Sequence, residues 1–177
     1  MDVTLGHLCT PKLPEDHFWL HTHETYEIYY MLGGSGVFYI EDTVYSIAPG
    51  TLLLMRPGEM HRAVIEPDAP YERMFLHFSE NAIRAVDPEL RLLAPFLDRP
   101  AGKSNRYSLS NCNMAFIDTC FKHIDQMIDT NYNDALALRI HLLSILSELK
   151  NAFAASQKQT ARPDNNRISQ VLHYIQL

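Results

Sequence analysis

The first eighty residues constrain the fold more than any other feature. Short runs of β-branched and aromatic residues follow one another at intervals of about ten, with turn chemistry between them and no helical period. The runs extend from Phe18 to Leu20, Tyr26 to Leu32, Gly36 to Ile40, Val44 to Ile47, Thr51 to Arg56, His61 to Glu66 and Tyr71 to Phe78. Gly33-Gly34-Ser35-Gly36, Glu41-Asp42, Ala48-Pro49-Gly50, Pro57-Gly58 and Pro67-Asp68-Ala69-Pro70 separate them, each a strong turn signal. Closely spaced strands without intervening helices predict a sandwich or barrel.

Beyond residue 80 the period lengthens. Phe116, Cys120, Ile124, Met127 and Ile128 form one helical stripe, between Asn111 and about Thr130. Leu138, Leu142, Ile145 and Leu149 form another, between Asp134 and about Gln157, so an antiparallel helix pair is expected over 81–157. A polar stretch beginning at Ser156 and containing Pro163 reads as a linker, placed at 158–166. Ile168, Val171, Leu172 and Ile175 then start a further amphipathic helix, read as the opening of another domain cut short at Leu177.

Charge and cysteine usage remove several function classes. The chain carries 15 Lys and Arg against 21 Asp and Glu, a formal charge of −6, which does not suit a phosphate-gripping surface. Three cysteines suit no disulfide framework, and no apolar run approaches the roughly 20 residues of a membrane span, so a cytoplasmic location is expected. No glycine-flanked serine elbow suggests a hydrolase.

His21-Thr22-His23-Glu24-Thr25-Tyr26-Glu27 carries the chemistry. In an extended strand alternate residues share a face, so His21, His23 and Glu27 converge. Two imidazoles and a carboxylate suit Zn, Ni, Mn or Fe, and His61 is the candidate fourth ligand. Trp19 and Tyr29 share that parity, while Tyr71, Arg73, Phe75 and His77 share one face of the last strand. Aromatic walls with a few polar groups suit a small molecule. Trp19, Tyr29, Arg73 and His77 therefore join His21, His23, Glu27 and His61 as candidate effector contacts.

His21, His23, Glu27 and Gly34, followed by Gly50, Gly58 and His61, resemble the two cupin motifs, with Glu15, Pro57 and Ile65 as departures from the usual lettering. The barrel wording from His21 to His61, and the order of barrel, helix pair, linker and Arg167 to Ile175, resemble the effector-binding half of AraC-type transcription regulators. The resemblance implies a mainly β fold, a cupin double-stranded β-helix (jelly-roll barrel) followed by an antiparallel α-helix pair. It further implies an effector barrel over 1–80 with an N-terminal arm over about 1–16, and a helical dimerisation segment. A pocket of imidazoles, tyrosines and one or two arginines is compatible with a sugar, a small carboxylic acid or a small aromatic molecule as effector. DNA would be bound only through a helix-turn-helix domain beginning at 167–177. The competing reading is a metal-dependent cupin oxygenase or isomerase holding its ion on His21, His23, Glu27 and His61. A cupin acting only as a structural module would leave that convergence unexplained.

Overall fold

In the computed structural model, which describes residues 3–11, 18–67, 70–108, 112–129 and 135–160, the strands form two antiparallel sheets. They are β1 (Val3–Thr10), β2 (Tyr26–Gly33), β3 (Gly36–Ile40), β4 (Thr43–Ile47), β5 (Leu52–Met55), β6 (His61–Ile65), β7 (Tyr71–Phe78) and the short β8 (Arg106–Tyr107). One sheet has the order β1-β7-β2-β5-β8, the other β4-β3-β6. The helices are α1 (Asn81–Arg84), α2 (Ala94–Leu97), α3 (Met114–Asp129) and α4 (Ala135–Thr160).

Strand β2 explains the layering. Its residues from Tyr26 to Met31 are buried on both faces, the pattern of a central strand covered on each side. Tyr26, Ile28 and Tyr30 point outward into a core shared with Ile117, Phe121 and Ile124 of α3 and with Leu142, Ile145 and Leu149 of α4. Tyr29 and Met31 point into the barrel beside Phe38, Ile40, Leu53, Met55 and Tyr71. The large sheet therefore separates the barrel interior from the helix pair. The pair is antiparallel, because Asn113 meets Glu148 while His123 meets His141 further along.

The structure departs from the sequence reading in four places. The run from Phe18 to Leu20 is not a strand; only the neighbouring His21 makes a single antiparallel bridge, to His61. Half of the segment read as an arm forms β1, paired with β7 from Val3↔Phe78 to Thr10↔Tyr71. Its own sequence signals this weakly, with His7, Cys9 and Gly6 interrupting both faces, and the strand is decided by the open edge of β7. On α3 the inward stripe runs through Ile117 rather than Phe116, which is 43% exposed, because Ile117, Cys120, Phe121 and Ile124 share the helical face packed on the sheet. Finally, α4 continues to Thr160, so the polar residues from Ser156 extend the helix before the expected linker. The remaining linker and the helix expected from 167 lie outside the described residues.

One polar contact ties β1 to the helices. His7 Nδ1 lies 2.7 Å from Asp125 Oδ1 of α3, and Nε2 lies 2.8 Å from Glu72 Oε1 of β7. Burial lowers the pKa of this imidazole, but the hydrogen bonds and charges of Glu72 and Asp125 outweigh it and leave the pKa raised. A raised folded-state pKa contributes stability that is fully present below about pH 6.5 and is lost as pH rises through the folded value. Denaturant titrations of wild type and His7→Gln should show the wild-type advantage at pH 6 shrink progressively toward pH 9. Parallel curves would remove the ion-pair account.

Candidate functional site

Strand register builds the site. Glu27 of β2 lies directly opposite His77 of β7, Tyr29 opposite Phe75, and Met31 opposite Arg73. Alternation sends Glu27, Tyr29, Arg73, Phe75 and His77 into the same cavity, about 230 Å³ in volume. Phe38 and Ala63 close it from the smaller sheet, and Leu8 of β1 contributes from the edge. Gly6 makes room there: a Cβ on Gly6 would lie 2.2 Å from Phe75 Cζ.

At one end of the cavity three histidines surround a buried carboxylate. Glu27 is 7% exposed. Its Oε2 lies 2.8 Å from His23 Nε2 and 3.5 Å from both His61 Nε2 and His77 Nε2. His23 Nδ1 also donates to the Thr25 carbonyl at 2.7 Å, so hydrogen bonds at both nitrogens make this ring an imidazolium. Glu27 raises the His23 pKa against the opposing effect of burial. Burial pushes the Glu27 pKa up, yet hydrogen bonds from His23, His61 and His77 outweigh it and hold the carboxyl well below the usual range. His61 is turned by its Nδ1 contact to the Glu59 carbonyl at 2.8 Å, which leaves its buried Nε2 with only the long 3.5 Å contact to Glu27.

Those atoms fit a divalent metal in kind. One ligand atom each from His23, Glu27 and His77 lies within 4.8 Å of the others, and Nε2 of His61 adjoins them at 3.5 Å from Glu27. Two or three imidazoles with a carboxylate suit the transition metals named above. His77, expected only as an effector contact, thus enters the cluster, because register across β2 and β7 puts it opposite Glu27. His21 lies at the exposed rim of the cavity, its Nδ1 2.8 Å from the Trp19 carbonyl and its ring tilted at 60° to that of His61 with centroids 4.4 Å apart. Trp19 is 78% exposed and is not among the residues lining the cavity.

The other end is cationic and aromatic. Tyr29 and Tyr71 share a buried hydrogen bond of 2.7 Å between their hydroxyls, and burial raises both phenol pKa values. The Arg73 guanidinium lies over the Tyr71 ring at 4.5 Å and the Phe18 ring at 5.3 Å. Its Nη1 is buried without a hydrogen-bond partner. Phe18 and Phe38, which complete the aromatic wall, were not among the sequence candidates: one lies outside any strand and the other on the facing sheet, so strand parity offered no signal.

Behind His61 lies a buried ion pair. Arg99 Nη1 reaches Glu59 Oε1 at 2.7 Å and Nη2 reaches Oε2 at 2.9 Å. Both side chains are almost fully enclosed. Asn105, the Gly102 amide and the Arg56 amide also donate to Glu59. Burial raises the Glu59 pKa, but these donors and the Arg99 charge prevail and hold it at about 2.

A jelly-roll barrel of two antiparallel sheets, a histidine-rich cluster at one end of its cavity and helices packed outside define a cupin-type ligand-binding domain. The family model for AraC-like ligand-binding domains matches residues 10–110, more than half of the sequence. The chain belongs to that family, whose members supply the small-molecule-sensing part of AraC-type regulators. Unsaturated-fatty-acid-bound ToxT from Vibrio cholerae has a similar fold, with a TM-score of 0.54 and 12% identity over 85% of this chain and 55% of that one. The present chain thus spans about half the length of ToxT. A cupin protein from Bacteroides fragilis aligns at 22% identity and TM-score 0.35, over 44% of this chain and 64% of that one. An oxalate decarboxylase from Bacillus subtilis aligns at 22% identity and TM-score 0.36, over 45% of this chain and 23% of that one. No curated protein matches the chain. Among the described residues, no helix is long and apolar enough to cross a membrane.

Proposed function

We propose that the chain senses a small molecule in the cavity between its two sheets, without catalysing its turnover, as part of a cytoplasmic regulator. The observation that carries this reading is the buried Nη1 of Arg73, a cavity residue, which has no hydrogen-bond partner. Buried polar groups left unpaired cost roughly 1–3 kcal/mol each, and a bound molecule would recover that cost. Sugars and small acids both offer the required oxygen atoms. Thermal denaturation against a panel of monosaccharides and small carboxylic acids tests the reading. A saturable rise in Tm that disappears on filling the cavity with Ala63→Phe is expected; no response to any compound would count against a sensing pocket.

A metal is the specific alternative, because His23, Glu27 and His77 present their ligand atoms together. They, with His61, would hold the ion, which would supply a Lewis-acidic anchor for an oxygen of the bound molecule. Elemental analysis of purified wild type and His23→Ala/His77→Ala should distinguish the cases. Near one equivalent of Zn, Ni, Mn or Fe, lost in the variant, would establish a metal centre and reopen the oxygenase or isomerase reading.

The regulator's other functions follow from the helices. The exposed side chains of Phe116 (43%), Leu136 (67%) and Ile140 (52%) lie on the faces of α3 and α4 turned from the barrel, and Phe116 and Ile140 flank one groove. This surface would form a homodimer that presents the DNA-binding helices expected after residue 167. Ile140→Glu should convert a dimer to a monomer in sedimentation velocity without changing the circular dichroism spectrum. A wild-type chain that sediments as a monomer at high concentration would overturn the dimer.

A further inference from the structure

The two ends of the cavity differ in charge, and that difference identifies a class of effector. Arg73 lies opposite Met31 on one side and Leu8 on the other, so its strand neighbours offer no charge. Among the described residues no carboxylate pairs with it, and its contacts are the rings of Phe18 and Tyr71. A half-buried guanidinium held over aromatic rings with its buried Nη1 N–H unused is a seat for a planar oxyanion. The Tyr29–Tyr71 hydroxyl pair adjoins the same end and adds a neutral donor.

The opposite end asks for a different group. From the Met31/Arg73 level to the Glu27/His77 level is four residues of strand, roughly 13 Å at about 3.3 Å per residue. There the Glu27 carboxylate lies 2.8 Å from His23 Nε2 and 3.5 Å from His77 Nε2, so the end is rich in hydrogen-bonding atoms. It would accept a hydroxyl. The stretch between them is walled by Tyr29, Phe38 and Phe75. At about 230 Å³ the cavity is smaller than the roughly 300–1,000 Å³ typical of drug-sized ligands, which limits the occupant to a short molecule.

We infer that the effector is a small aromatic carboxylate, its carboxylate on Arg73, its ring between Phe38 and Phe75, and a hydroxyl at its far end directed to His77 and Glu27. The inference rests on the sensing role proposed above and narrows it from sugars and acids to one class. Arg73 is then the specificity-determining residue, and its unused N–H is the feature that separates an acid from its uncharged analogue.

The test is isothermal titration calorimetry on the purified chain with benzoate, 4-hydroxybenzoate and 3-(4-hydroxyphenyl)propanoate, each beside its carboxamide. At least one acid should bind at least tenfold more tightly than its amide, with the hydroxylated acids tighter than benzoate. Arg73→Gln should erase the preference for acid over amide, and Arg73→Lys should retain part of it. Equal binding of acid and amide, an undiminished preference in Arg73→Gln, or no binding by any of the three acids would overturn the proposal. If Arg73→Gln does not fold by circular dichroism, the wild-type acid-to-amide ratio and Arg73→Lys decide the matter. Neutral monosaccharides titrated alongside separate the two levels. Binding of a sugar without the acids overturns the carboxylate class and leaves the sensing role standing, whereas silence toward every compound overturns both.

Discussion

Replacing Arg99 with methionine should lower the stability of this chain by about 3–5 kcal/mol, the usual cost of leaving one partner of a buried ion pair uncompensated. Arg99 makes a two-pronged contact to Glu59, donates to the carbonyls of Leu54 and Pro95, and adjoins Asn105, with essentially no solvent access. Removing it strands the Glu59 carboxylate among backbone amides. For a domain of this size the loss corresponds to a fall in Tm of roughly 10 °C or more, read by calorimetry at neutral pH. Wild type should show a matching acid sensitivity. Glu59 has its folded-state pKa depressed to about 2 from an ordinary 4.5, so its contribution is present above pH 4.5 and is lost as pH falls from there toward 2. Arg99→Met should flatten that part of the stability profile. A variant as stable as wild type would mean that neighbouring donors alone satisfy Glu59. Because the Glu59 carbonyl also orients His61, the substitution should weaken effector binding as well.

The second large effect is expected at Gly36. A Cβ on this residue would lie 2.2 Å from the Val64 carbonyl oxygen and 2.9 Å from the Ile65 Cα, both backbone atoms of the paired strand β6. No rotamer change can relieve such a contact, so Gly36→Ala must part the two strands. Forcing extra volume into a packed site costs typically 1–3 kcal/mol, and the upper end is expected where backbone is the obstacle. Urea denaturation should show the midpoint fall accordingly, and effector binding should weaken because His61 opens the displaced strand. An unchanged midpoint would show that β3 and β6 separate without cost.

Much of the barrel was legible because strand formation here depends on local signals. Short runs of apolar, aromatic and β-branched residues set β2 through β7, and most turns between them carry glycine or proline where the chain must reverse. β1 was not legible, since its pattern is weak and it exists by completing the edge of β7. Phe116 shows a similar limit: two helical stripes one residue apart are equally apolar, and only the contact with the sheet selects Ile117.

The candidate site divides in the same way. His23 and Glu27 do meet, but not by the strand alternation their spacing suggests: β2 begins only at Tyr26 and a bend at 24–25 lies between them, so the path of the chain brings His23 Nε2 to 2.8 Å from Glu27. That His77 joins them depends on register between β2 and β7, which no local spacing encodes. Arg56 stands three residues before Glu59, yet its guanidinium donates to the Arg99 carbonyl, and the ion pair is made by Arg99 from 40 residues away. The sequence by itself determined the order of strands β2 to β7 and of the two long helices, since these rest on periodicity and turn chemistry, while its motif lettering carried the family resemblance. Tertiary structure alone decided which histidines share a carboxylate, which arginine is buried with a partner and which is left with an unused N–H on the cavity. Those choices depend on desolvation and register, properties that arise only when distant segments are packed together.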